Sequence, residues 1–234
     1  MTDAHCHATG DATRHFLCGR PPSGAAPAPA PESAPADVVR FVGFHPWDAA
    51  ALDLAALRDA LAADRSLGVG EIGLDRLRER QISPTMREAF LAQLALAAEF
   101  RRPAVLHGAK CWGEVVNACK PFAGRIPAFL FHGFSRSTGL LPEIEALNGF
   151  ISFGPALLND HAVNYRRLAA TAPQNLLLVE TDREAAADAS QTPPPPVAAI
   201  AVRLAELRGV QPDALAAVLE ANADRFVHSL LANA

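Results

Sequence analysis

The chain has no excess of positive charge. Its 21 Lys and Arg stand against 25 Asp and Glu, for a formal charge of −4. Phosphate backbones are held by positive fields, so an anionic substrate must be drawn by a local site and not by the surface as a whole. Cysteine is scarce: Cys6, Cys18, Cys111 and Cys119 are the only four, with no CxxC spacing. That argues against a disulfide framework or a thiolate zinc site and fits reduced thiols. No apolar run reaches membrane-spanning length; segments such as "LAQLALAAEF" are short and carry charge. The N-terminal residues lack a basic segment followed by an apolar one. The expectation is a cytoplasmic chain with no membrane contact, and no feature marks an obligate protein partner.

What is present is a soluble globular composition, 50% apolar and 20% charged over 234 residues, long enough for a large core. Short apolar segments alternate with amphipathic ones. "DAHCH" (3–7), "VVRFVGFHP" (38–46), "LGVGEIGLD" (67–75), "PAVLHG" (103–108), "AFLFHGF" (128–134), "FISFG" (150–154) and "NLLLVETD" (175–182) read as strands, with "RHFLCG" (14–19) a weaker eighth. Helices are expected at 52–64, 83–100, 197–209 and 212–226, the second capped by Ser83 with Pro84 in its first turn and the third stopped by Gly209. Eight strands in alternation point to an α/β protein, a (β/α)₈ barrel forming one domain over 1–234. Residues 20–37 are rich in Pro and Ala and cannot form a regular helix. They read as an irregular loop that shortens the first β/α unit. "TPPPP" (192–196) reads as a stiff connector.

Ionisable residues recur near the strand ends: Asp3, His5 and His7, then His45, Glu71 with Asp75, His107, His132 and Asp182. In a parallel barrel these ends converge on one rim, and the two-residue period puts His5 and His7 on one face. Any one of them alone reads as an ordinary core or solvated residue. Six together, His5, His7, Glu71, His107, His132 and Asp182, would destabilise the fold unless they held something. Imidazole with carboxylate suits Zn²⁺, Mn²⁺, Co²⁺ or Fe²⁺, with Mg²⁺ less comfortable. Six ligands exceed what one open catalytic ion needs and fit two divalent ions sharing a carboxylate. His15, His161 and His228 fall on loops or helices and receive no role.

In order along the chain, "DAHCH", "VGFHPW", "GVGEIGLD", the Gln81, Phe90, Gln93–Leu94 and Ala97 spacing, "PAVLHG", "FHGFS", "FISFG", "LLLVETD" and "NADRF" resemble the TatD family of metal-dependent hydrolases and deoxyribonucleases, most of all its shorter members. The resemblance implies a barrel with two divalent ions, Zn²⁺ or Mn²⁺ favoured, acting on DNA or a small phosphodiester. It implies that His5 and His7 bind one ion with Asp182, that His107 and His132 bind the second, and that Glu71 ligates or bridges. Asp182 would orient or deprotonate the water, with Glu71 beside it in the catalytic set. His45 and Lys110 would meet the substrate, and Asp3 would support a metal-bound histidine. The sequence departs from the family at Arg183–Glu184, where Ala-Pro is usual, and at Ala109, where an Arg is often found. These positions border the substrate. They leave open hydrolysis of a lactone, amide or phosphotriester, and behind that a non-catalytic metal-binding barrel. Trp47 and Trp112 read first as rim covers and second as base-stacking residues. Arg76 and Arg78 read first as solvated, while Lys110 is balanced between that and phosphate.

Overall fold

The expected strands join into one parallel sheet in chain order: β1 Thr2–Cys6, β2 Arg14–Gly19, β3 Val38–Val42, β4 Gly68–Asp75, β5 Ala104–Ala109, β6 Phe129–Phe131, β7 Gly149–Phe153 and β8 Leu177–Val179. The computed structural model describes residues 1–22, 37–78, 80–135, 138–184 and 194–231. Seven α-helices lie among these residues: α1 Leu54–Ala63, α2 Pro84–Glu99, α3 Trp112–Cys119, α4 Leu141–Ala146, α5 Val163–Thr171, α6 Val197–Arg208 and α7 Pro212–Leu231. Asp53 caps α1 by accepting from the Ala56 N–H at 2.9 Å, and Ser83 caps α2 from the Met86 N–H at 3.1 Å. Gly209 ends α6 in the left-handed conformation, φ 65°.

Where the strands differ from expectation, the cause is a competing partner. β3 stops at Val42 because the Gln93 side chain takes both the N–H and the C=O of Phe44, at 2.8 and 3.1 Å. The chain then leaves the sheet just before His45. β8 ends at Val179, yet the residues after it still pair. The Asp182 N–H donates to the His5 carbonyl at 3.1 Å, and the His7 N–H donates to the Arg183 carbonyl at 2.8 Å. These bonds close the barrel between its first and last strands. Among the described residues the shortening falls on the first unit. Residues 7–13 join β1 to β2 without a helix, and the Pro-rich segment belongs to the β2–β3 crossover, where residues 23–36 lie outside the described residues. So do Thr192 and Pro193 of the second proline run.

The barrel interior is built in two levels. On β5 to β8 the inward period of two gives an apolar residue and then a polar one: Val105 and His107, Leu130 and His132, Phe150 and Ser152, Leu178 and Glu180. The apolar level merges with Phe16 and Phe41 and with Ala223, Phe226 and Leu230 of α7. Phe226 is fully buried and meets the rings of Phe16, Phe41 and Phe150 at centroid distances of 5.5, 5.8 and 5.6 Å. This apolar spacing carries α7 past residue 226, where the pattern alone had ended it. One glycine is dictated by the site. Gly73 sits at φ 155°, and a Cβ there would fall 2.0 Å from the His107 carbonyl. Close approach of β4 to β5 therefore requires a residue without a side chain.

Candidate metal centre

Four histidine side chains from three segments meet one carboxylate. Glu71, 5% exposed at the middle of β4, places Oε1 2.7 Å from His107 Nδ1 and 2.6 Å from His132 Nε2. Its Oε2 lies 3.5 Å from His5 Nε2 and 3.3 Å from His7 Nε2. The structure thus brings together His5, His7, Glu71, His107 and His132. Asp182 joins them: its Oδ1 is 3.4 Å from His5 Nε2 and 3.9 Å from His7 Nε2. It does so from a left-handed backbone position, φ 49°, which Asp tolerates better than most residues. The seam bond from its N–H to the His5 carbonyl sets that turn beside β1.

Each imidazole is held from behind. His107 Nε2 bonds to Asp75 Oδ2 at 2.8 Å. His132 Nδ1 faces Glu180 Oε1 at 3.5 Å, and Glu180 is itself held by the Ser152 hydroxyl. His7 Nδ1 contacts the Cys18 carbonyl at 3.2 Å, and His5 Nδ1 contacts the Cys18 thiol at 3.4 Å. Asp3 does not support a histidine ring. Its carboxylate accepts from the Thr181 N–H and hydroxyl, at 2.9 and 2.6 Å, and from the His5 N–H at 3.4 Å. It is a clamp across the barrel seam. Glu180 and Cys18 were missed in the sequence. Glu180 obeys the same strand-end period that picks out His107 and His132, whereas Cys18 carried no signal apart from its place on β2.

His45 lies deeper than a rim position. Its Nε2 is 3.4 Å from His107 Nδ1 and 3.8 Å from Glu71 Oε1. Lys110 is exposed, at φ 58°, and is not among the residues lining the cavity above the centre. That cavity, ≈ 380 Å³, is bounded by His7, His45, His107, His132, Glu71 and Asp182 below and by Trp47, Asp48, Arg78 and Glu184 at its mouth. Trp112 is buried against Phe131 and Phe134, at centroid distances of 6.0 and 5.2 Å, and covers the core.

The donor set fits divalent cations. His5 Nε2 is buried with no hydrogen-bond partner and faces two carboxylates. A buried imidazole nitrogen left in this way is costly unless it binds something. Donor atoms lie within 4.8 Å of one another in the groups His5–His7–Glu71, His5–His132–Asp182 and His45–Glu71–His107. Such groupings are compatible with adjacent ions sharing Glu71. The local field agrees. Burial pushes Glu71 and Asp182 up, but the neighbouring histidines outweigh it and hold both carboxylates well below their ordinary range. Burial pushes His45 down to about 4. It therefore remains a neutral donor near neutrality.

A family model described as TatD related DNase matches residues 29–228. The metal-dependent hydrolase YabD of Bacillus subtilis (strain 168) is 27% identical over 192 residues, 79% of this chain and 75% of YabD. The 3'-5' ssDNA/RNA exonuclease TatD of Erwinia tasmaniensis is 30% identical over 199 residues, 79% of this chain and 76% of the relative. Against the exonuclease TatD of Pectobacterium carotovorum, 31% identical over 144 residues, the chain spans only 55% of the relative's length. Among solved structures, the TatD homolog YjjV of Escherichia coli superposes with a TM-score of 0.67 at 25% identity, over 81% of this chain and 76% of that one. A TatD family hydrolase from Entamoeba histolytica superposes at 0.71 with 13% identity, over 92% and 84%, a likeness of fold. The family match begins after the DAHCH strand, and the barrel seam places that strand beside Asp182. With barrel, histidine–carboxylate centre and family match in agreement, the chain belongs to the TatD related DNase family.

Proposed function

We propose that this protein is a metal-dependent phosphodiesterase that cleaves DNA at the centre around Glu71. The observation that carries the proposal is the buried Glu71 carboxylate in reach of His5, His7, His107 and His132, with Asp182 beside the first two. Family relatives named as 3'-5' ssDNA/RNA exonucleases support a single-stranded nucleic acid substrate. No feature among the described residues favours the lactone, amide or phosphotriester alternatives. Zn²⁺ or Mn²⁺ suits the imidazole-rich donors best. No helix among the described residues is long and apolar enough to cross a membrane. The four free, buried cysteines suit a reducing, cytoplasmic setting.

His5, His7 and Asp182 would hold one cation and His107 and His132 a second, with Glu71 between them. His45 stands close enough to Glu71 and His107 to join the second set. Bound there, divalent cations supply Lewis acidity toward a phosphoryl oxygen and acidify water. The protein's own groups do the rest. Asp182, whose side chain is 49% exposed toward the cavity, orients the attacking water and accepts its proton. Asp75 and Glu180 keep the His107 and His132 rings in place. Purified protein with added Mn²⁺ or Zn²⁺ is expected to shorten a single-stranded oligonucleotide, and EDTA is expected to stop it. Undiminished cleavage in EDTA, or none with any divalent ion, would refute the assignment.

The support behind His5 can be tested without turnover. If His5 Nε2 takes a cation, the ring proton must sit on Nδ1 and point at the Cys18 sulfur. Partners behind a ligating histidine are typically worth about 10–100-fold in metal affinity. Calorimetric titration of Cys18→Ala with Zn²⁺ should therefore show an affinity lowered by roughly tenfold or more. Cys18→Ser should recover part of it. Unchanged affinity in Cys18→Ala would remove Cys18 as the partner that orients His5.

A further inference from the structure

We propose that Trp47 and Arg78 form a nucleotide subsite at the mouth of the cavity, the indole stacking one base of a single-stranded substrate and the guanidinium holding a phosphate next to it. This inference rests on the phosphodiesterase reading above and names the part of the substrate recognised. Trp47 follows His45 by two residues and is 45% exposed, although an indole normally gains most by burial. The His45 ring meets it edge-on at a centroid distance of 4.7 Å, which ties the indole to the metal centre. The Arg78 guanidinium lies 3.6 Å from the indole centroid, a close cation–π contact. Both side chains line the cavity that contains Asp182 and Glu71.

Two of the other charges nearby are already paired. Arg76 is paired with Glu114, and Asp48 with Arg20 at 2.6 Å. Arg78 forms no ion pair among the described residues; its backbone N–H bonds to Asp75, and its guanidinium rests on the indole. A free guanidinium resting on an exposed aromatic ring, a few residues from a centre built for phosphodiesters, is the combination that tracks single strands: a π-face for the base and a cation for the backbone. The contact places a positive charge at the cavity mouth of a chain whose net charge is −4.

The test uses metal-loaded protein and two probes with phosphorothioate linkages: a short oligothymidylate, and an oligomer of the same length made of abasic sites. Binding is read by polarisation of an end label and by tryptophan fluorescence. Trp112 is buried, so quenching reports on Trp47. The wild type should bind the thymidylate at least about fivefold more tightly than the abasic oligomer, the scale of one base stacked on one aromatic ring. Trp47→Ala should abolish that preference and the quenching, while Trp47→Phe keeps most of the preference. Arg78→Ala should weaken both oligomers alike and flatten the salt dependence. An equal base preference in wild type and Trp47→Ala overturns the subsite. If the wild type binds neither oligomer and cleaves no ordinary phosphodiester, the phosphodiesterase reading falls and the subsite with it. Normal cleavage with the two affinities identical overturns the subsite alone.

Discussion

Asp182→Asn is expected to lower kcat on an oligonucleotide by about 10²–10⁴-fold, the usual contribution of a positioned general base. The substitution keeps the shape of the side chain and removes its ability to take a proton. It also removes the negative charge 3.4 Å from His5 Nε2 and 3.9 Å from His7 Nε2, so weaker metal binding should accompany the loss. The two effects separate on titration with Mn²⁺. A pure affinity defect is recovered at saturating metal, whereas loss of the base is not. Folding should be little affected, because half of the side chain faces the cavity. Activity within a few-fold of wild type at saturating Mn²⁺ would transfer the proton to another group, with Glu184, at the same cavity mouth, the first to examine.

The second large effect concerns stability. Phe226→Ala is expected to destabilise the protein by about 3–5 kcal/mol, as for other large-to-small changes at fully buried aromatic positions. That corresponds to a fall in Tm on the order of 10 °C for a domain of this size. Phe226 projects from α7 into the end of the barrel remote from the metal centre. Its three ring neighbours, Phe16, Phe41 and Phe150, are fixed on β2, β3 and β7. Strands held in a ladder cannot collapse into the space, so the cavity term should be near the top of its range. Urea denaturation followed by circular dichroism measures it. A loss below about 1 kcal/mol, less than the transfer term for an aromatic ring alone, would mean that α7 is not the plug described here.

Much of the candidate centre was readable from residue type and position along the chain. His107 and His132 end apolar runs, and that rule depends only on the two-residue period of a strand and the convergence of parallel strands. His45 was read as a substrate contact; in the structure it lines the cavity and also stands 3.8 Å from Glu71. Its depth depends on Gln93, 48 positions further along, which pulls the Phe44 backbone out of the sheet. The family resemblance implied that Asp3 supports a metal-bound ring. The structure gives it to Thr181, across a seam whose register no single segment displays. Lys110 follows a strand-end histidine but lies outside the cavity lining, because a left-handed residue at that point turns the chain away.

By itself the sequence determined the repeating β/α architecture, the apolar and polar levels of the barrel interior and the residue types able to bind cations, because these follow from periodicity and from the cost of burying charge. Tertiary structure alone decided which donors share an atom of Glu71, that the first and last strands meet at Asp182, and that an arginine rests on Trp47 at the entrance. Each of those is a contact between distant segments, whose distance is set by how the barrel closes and not by anything local to either partner.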